Sequence, residues 1–134
     1  MRKRASSPKW LILNTAIVTS LWGESYQTLR NDLGRWGRLV ETAVGAHLVN
    51  STVGSPIQVF YWRDRQFEVD FVLQKGERRI AIEVKSGARL RKYTGIQAFK
   101  RQFPGSNSLV VGGDGVPLEE FFMMPAGTWF TQLF

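Results

Sequence analysis

Three residues near the middle of the chain could do chemistry together: Asp70, Glu83 and Lys85. Asp70 stands in Phe67-Glu68-Val69-Asp70-Phe71-Val72-Leu73, and the other two end the run Arg78-Arg79-Ile80-Ala81-Ile82-Glu83-Val84-Lys85. Both runs read as strands, and side chains alternate across a strand with period two. Phe67, Val69, Phe71 and Leu73 are therefore expected on one face, with Glu68 and Asp70 on the other. By the same rule Ile80, Ile82 and Val84 oppose Ala81, Glu83 and Lys85. If the apolar faces share a core, Asp70 meets Glu83 and Lys85 across a hairpin. Carboxylate oxygens suit a hard divalent cation such as Mg²⁺ or Mn²⁺, which polarises a phosphate and acidifies a bound water. A lysine beside them can position that water or stabilise charge on the phosphate. A plain cross-strand ion pair on a solvated face, contributing about 0.2–1 kcal/mol, explains the same spacing.

The elements that must position these residues follow from periodicity and punctuation. Val40, Val44, His47 and Leu48 recur at spacings of three and four, which predicts a helix from about Arg38 to Asn50. Glu41 lies at the edge of that stripe. A carboxylate aimed at a helix–sheet seam is costly unless paired or bound to a cation, so Glu41 either swings out to solvent or adds a third acid over the Asp70/Glu83 site. Strands are expected at Ile57–Arg63, Phe67–Leu73 and Arg78–Lys85, joined by short polar turns. A helix over Tyr93–Phe103, stopped by Pro104 and Gly105, precedes a strand at Ser108–Gly112. A helix between two strands is a crossover and makes them parallel. The order over residues 37–112 is thus helix, three strands, helix, strand: an α/β chain with a mixed sheet and flanking helices.

The flanks are less clear. Residues 1–8 are basic and expected to be loose, residues 9–22 fit a short strand or a helix, and residues 23–36 read as a connector. The apolar tail holds Phe121, Phe122, Met123, Trp129 and Phe130. It is expected to pack back on the sheet or against a partner, a second copy of the chain included. His47, the only histidine, reads as a hydrogen-bonded core residue. Tyr61 and Trp62 could stack on a base, or serve as half core and half edge.

The 134 residues fit one domain, and 43% hydrophobic with 22% charged residues predicts a real core. The absence of cysteine excludes a disulfide scaffold, thiolate zinc sites and a cysteine nucleophile. The net charge of +7 is unevenly spread: all 18 Lys and Arg lie at or before Arg101, while Asp114, Glu119 and Glu120 follow it. A basic body attracts polyanions such as nucleic acid or an anionic surface. Arg2, Lys3 and Arg4 before the stretch Trp10–Trp22 superficially suggest a signal peptide. Asn14, Thr15, Thr19 and Ser20 interrupt that stretch, and it is too short and polar to span a bilayer. The expectation is a cytoplasmic protein without a membrane span.

Glu41 on a helix, Asp70 on a strand and Glu83-Val84-Lys85 on the next strand resemble the PD-(D/E)xK phosphodiesterase superfamily. More narrowly, Gly37-Arg38-Leu39-Val40-Glu41, Tyr61-Trp62-Arg63, Glu68-Val69-Asp70-Phe71-Val72 and Ile82-Glu83-Val84-Lys85-Ser86 resemble a domain of unknown function at the carboxyl end of many prokaryotic AAA-type ATPases. The resemblance implies a restriction-endonuclease-like αβββαβ core. It implies Glu41, Asp70 and Glu83 as ligands of Mg²⁺ or Mn²⁺, and Lys85 completing the catalytic set. It also implies an ATPase domain and nucleic acid as partners. Arg89, Arg91, Lys92, Lys100 and Arg101 would form a basic ring for the phosphate backbone, and Gln97 an additional polar group. Two features depart from the pattern. Val69 stands where the superfamily has proline, and no G-x-x-x-x-G-K-S/T loop for ATP is present. A nuclease fold kept only for docking is the alternative reading.

Overall fold

In a computed structural model the chain is described over residues 10–87 and 93–134. Its first elements are helices set by their caps. The Asn14 side chain accepts from the Ala16 N–H and starts α1 (Thr15–Trp22), so the later part of the ambiguous stretch is helical. Ser25 caps α2 (Tyr26–Asn31), and the Asp32 carboxylate accepts from Gly34 and Arg35 at the start of α3 (Leu33–Thr52). The supposed connector thus contains a helix and the first turn of another. α3 begins ahead of the expected Arg38, because the cap satisfies backbone donors that Gly34 and Gly37 alone would not organise.

The sheet follows as β1 (Gln58–Asp64), β2 (Phe67–Lys75) and β3 (Arg78–Val84), then α4 (Thr94–Gln102) and β4 (Asn107–Val111). The strand order is β1-β2-β3-β4. The first three strands are antiparallel, and β4 runs parallel to β3 across the α4 crossover. This is the expected helix, three strands, helix, strand in a mixed four-stranded sheet. The tail forms α5 (Leu118–Met123) and α6 (Ala126–Leu133).

Each sheet face has its own core. On one, Val44 and Leu48 of α3 with Phe121, Trp129 and Phe130 of the tail bury Phe71, Leu73, Ile80, Ile82, Leu109 and Val111. The tail therefore packs back on the sheet, and three of its large side chains are consumed there. On the other, Ile96 and Phe99 of α4 cover Val69, Val72 and Ala81. His47 donates from Nε2 to the Met124 carbonyl at 2.7 Å, with Phe121 and Phe122 against its ring: it is hydrogen-bonded as expected, and half-buried at the edge of the core.

One departure from strict alternation bears on the site. Phe60 lies opposite Val72, but Trp62 lies opposite Val69. β2 therefore sets two residues, Asp70 and Phe71, against the single Tyr61. An inserted residue of this kind bends a strand and re-aims its side chains. Val69 joins the α4 cluster while Phe71 and Leu73 join the opposite core. The expectation that Val69 and Phe71 share a face is corrected by this bulge.

Candidate functional site

The β2–β3 ladder runs from Lys75 opposite Arg78 to Phe71 opposite Ile82 and stops there. One step further, Val84 donates its N–H to Asp70 Oδ2 at 2.8 Å. The bulged Asp70 thus offers a side-chain carboxylate where an unbroken ladder would offer a carbonyl. On the other flank of β3, Lys85 donates its backbone N–H to the Val111 carbonyl at 2.8 Å.

Glu83 and Lys85 both project to the α4 face, two residues apart, as period-two geometry requires. The Lys85 ammonium donates to Glu83 Oε1 at 2.7 Å, with only 8% and 15% of the two side chains exposed. The Tyr93 ring lies 5.5 Å from Lys85 Nζ. The Tyr93 hydroxyl donates to the Asp114 carboxylate, at 2.9 and 3.2 Å from its two oxygens. That hydrogen bond, then burial and the charges of Asp114 and Glu83, raise the Tyr93 pKa above its ordinary value.

Asp70, Glu83 and Lys85 thus stand where the β2–β3 ladder ends, but their contacts differ from the simple expectation. The ion pair joins Glu83 of β3 to Lys85, one residue past the end of that strand, rather than crossing the hairpin, and α4 covers the face that the simplest alternative left solvated. Glu41 approaches from the other side. A Cβ on Gly37 would lie 3.0 Å from Ser86 Oγ, and one on Gly45 would lie 2.7 Å from the Phe71 ring. These glycines let α3 sit close to the strands. Glu41, half-buried, falls between them on the same stripe, four residues from each. Among the described residues, no three of His, Asp and Glu gather as a metal-holding group. Glu41 comes from α3, Glu83 is turned to Lys85, and Asp70 accepts from the Val84 N–H.

The proposed basic ring is only partly placed. Arg89, Arg91 and Lys92 lie outside the described residues. Lys100 and Arg101 are exposed in the last turn of α4, about 10 Å along the helix from Tyr93. Gln97 is exposed one turn from Tyr93. Trp62 is spent in the α4 cluster, edge-on to Phe99 at 5.4 Å. Tyr93 and Asp114 escaped the sequence reading. The one signal for them is the run Gly112-Gly113-Asp114-Gly115, whose glycines allow close approach to a neighbouring strand.

Away from this end, a cavity of about 320 Å³ between α1, α3 and α5 is lined by Thr15, Trp36, Leu39, Ala43, Leu118 and Phe122 among others. None of its lining residues is titratable, so it offers no acid or base. No helix among the described residues is long and apolar enough to cross a membrane.

A family model described as "Domain of unknown function (DUF4143)" matches residues 36–129, from α3 into α6. Domains of this family are generally found carboxyl-terminal to AAA ATPase domains. No curated protein and no solved structure matches the chain.

Proposed function

The chain belongs to the DUF4143 domain family, and on that premise we propose that it works with an AAA ATPase and hydrolyses phosphodiester bonds of a nucleic acid with the help of a divalent cation. The observation that carries this reading is the buried Glu83–Lys85 pair beside Asp70 where the β2–β3 ladder ends. A buried ion pair contributes little to stability that apolar residues of the same volume would not contribute as well. Charged groups held in such a place are candidates for chemistry.

The donors fit a hard cation in kind, since carboxylate oxygens are what Mg²⁺ and Mn²⁺ take, with water filling the remaining positions. Asp70 and Glu83 would hold the ion, with Glu41 supporting it from α3. Bound there, it would supply positive charge at the phosphate and an acidified water. Asp70 is already oriented by the Val84 N–H. The Lys85 ammonium is kept at the strand end by Glu83 and is the donor available to a phosphate oxygen. The positive charge of the chain up to Arg101 favours a polyanionic substrate.

Calorimetric titration of Mg²⁺ and Mn²⁺ tests the reading. Binding that disappears in Asp70→Asn, with cleavage of DNA or RNA that disappears in Lys85→Ala, is the expected result. Cleavage unchanged by either substitution would mean the activity belongs to a contaminant, and the proposal would fall. A second reading is favoured by the Glu83–Lys85 pair being satisfied as it stands, and by the absence of a three-acid group among the described residues. In it, the domain docks the ATPase on nucleic acid or protein without hydrolysis. Retained nucleic-acid binding with no metal uptake in wild type or Asp70→Asn would favour it.

A further inference from the structure

A closed circuit of contacts holds Lys85 from behind. Its ammonium meets Glu83 Oε1 on one side and the Tyr93 ring on the other. Tyr93 is tied by its hydroxyl to Asp114, and Asp114 belongs to the Gly112–Gly115 turn, which rests on Lys85 itself. Gly112 and Gly113 have φ of +76° and +62°, a region that favours glycine. A Cβ on Gly112 would collide with the Lys85 carbonyl oxygen, and one on Gly113 would lie 3.0 Å from Lys85 Cβ. The turn therefore lies flush on the lysine backbone and throws Asp114 forward to the Tyr93 hydroxyl.

We infer that Tyr93, anchored by Asp114, is a positioning residue for Lys85. A lysine stem is flexible and its head is a compact point charge, so one acidic partner fixes a distance but not a direction. The ring adds a second contact, since an aromatic face attracts an ammonium within about 6 Å. Tyr93 needs its own anchor because it precedes α4 at the cap position, where no side-chain capping bond holds it. The hydrogen bond to Asp114 provides one. A phenol stays protonated through the neutral range, so the bond to Asp114 persists there. The role in hydrolysis rests on the reading of Lys85 as the site lysine; the positioning of Lys85 does not.

The test uses the whole chain with ¹³C-labelled lysine. The Lys85 methylene signals, assigned by their loss in Lys85→Arg, are expected to carry an upfield shift from the Tyr93 ring. Tyr93→Leu should abolish that shift. Tyr93→Phe and Asp114→Ala should each lose part of it, by similar amounts, because both break the same bond. Should Tyr93→Leu fail to fold, Asp114→Ala, on an exposed turn, carries the test. A Lys85 shift unchanged in Asp114→Ala, or unchanged in a folded Tyr93→Leu, overturns the inference. Where the wild type cleaves, Asp114→Ala should lower kcat about tenfold at little changed KM; a raised KM at constant kcat would also count against it. A wild type that cleaves nothing sinks the hydrolase reading alone, and the lysine signals still decide the positioning.

Discussion

The two faces of the sheet are built from different material. The face under α3, α5 and α6 is a continuous apolar core in which Leu48, Leu73, Ile80, Ile82, Val111 and Phe121 are fully buried. The face under α4 is thinner. Ala81 sits in it beside Val69 and Val72, Ile96 and Phe99 come down from the helix to complete its cluster, and it runs out into Glu83, Lys85 and Tyr93. The first face supplies most of the burial that holds the fold. The second gives up burial at its end to keep a charged pair out of water. Stability and the candidate site are thus separated by one layer of backbone, and the site can be altered without dismantling the main core.

Substitutions on the two faces can break or sharpen that separation. The largest effect is expected from Phe121→Ala, which removes a fully buried ring from the main core and should cost about 4 kcal/mol in urea unfolding. A loss below about 1 kcal/mol would show that this face is not the main store of stability. Glu83→Ala strands the Lys85 charge and should cost about 3 kcal/mol. Glu83→Leu combined with Lys85→Met should instead unfold near the wild-type midpoint while metal uptake and cleavage are lost. If the double variant is as unstable as Glu83→Ala, the pair serves the fold rather than chemistry.

Smaller effects probe the rim. Asp70→Asn keeps an oxygen acceptor for the Val84 N–H, so the stability change should stay within about 1 kcal/mol while metal binding disappears. The smallest effect concerns Tyr93. Its pKa is raised in the folded chain, so the folded state favours the protonated phenol. That contribution is full below the ordinary value of 10.0 and is lost as pH rises through the raised value. Thermal unfolding should therefore show a slightly steeper decline above about pH 10 in wild type than in Tyr93→Phe. Identical profiles would mean that the hydroxyl–Asp114 bond makes no measurable difference.

The strands and their order were legible because apolar alternation and short polar turns are local signals, and so was α4, closed by Pro104 and Gly105. The early helices were less so. Asn14, Ser25 and Asp32 are ordinary polar residues until their side chains are seen to accept helix N–H groups, and Gly34 and Gly37 argue against a helix that the Asp32 cap nevertheless starts. The placement of Asp70 depended on the Asp70–Phe71 bulge, which leaves no trace in an alternation pattern.

What the sequence determined by itself is the kind of chemistry on offer. Two carboxylates and a lysine near neighbouring strand ends, a basic body and no cysteine follow from residue types and period-two spacing, and neither needs long-range contacts. Only the tertiary structure decided which partners those groups take. Lys85 pairs with Glu83, two residues before it, because both project into the same buried seam under α4. Asp70 takes the Val84 N–H, because the bulge sets its carboxylate where the ladder ends. Tyr93 and Asp114 reach the lysine from distant points of the chain, because a crossover helix and a glycine turn close over one strand end, and no local pattern encodes a contact made at that range.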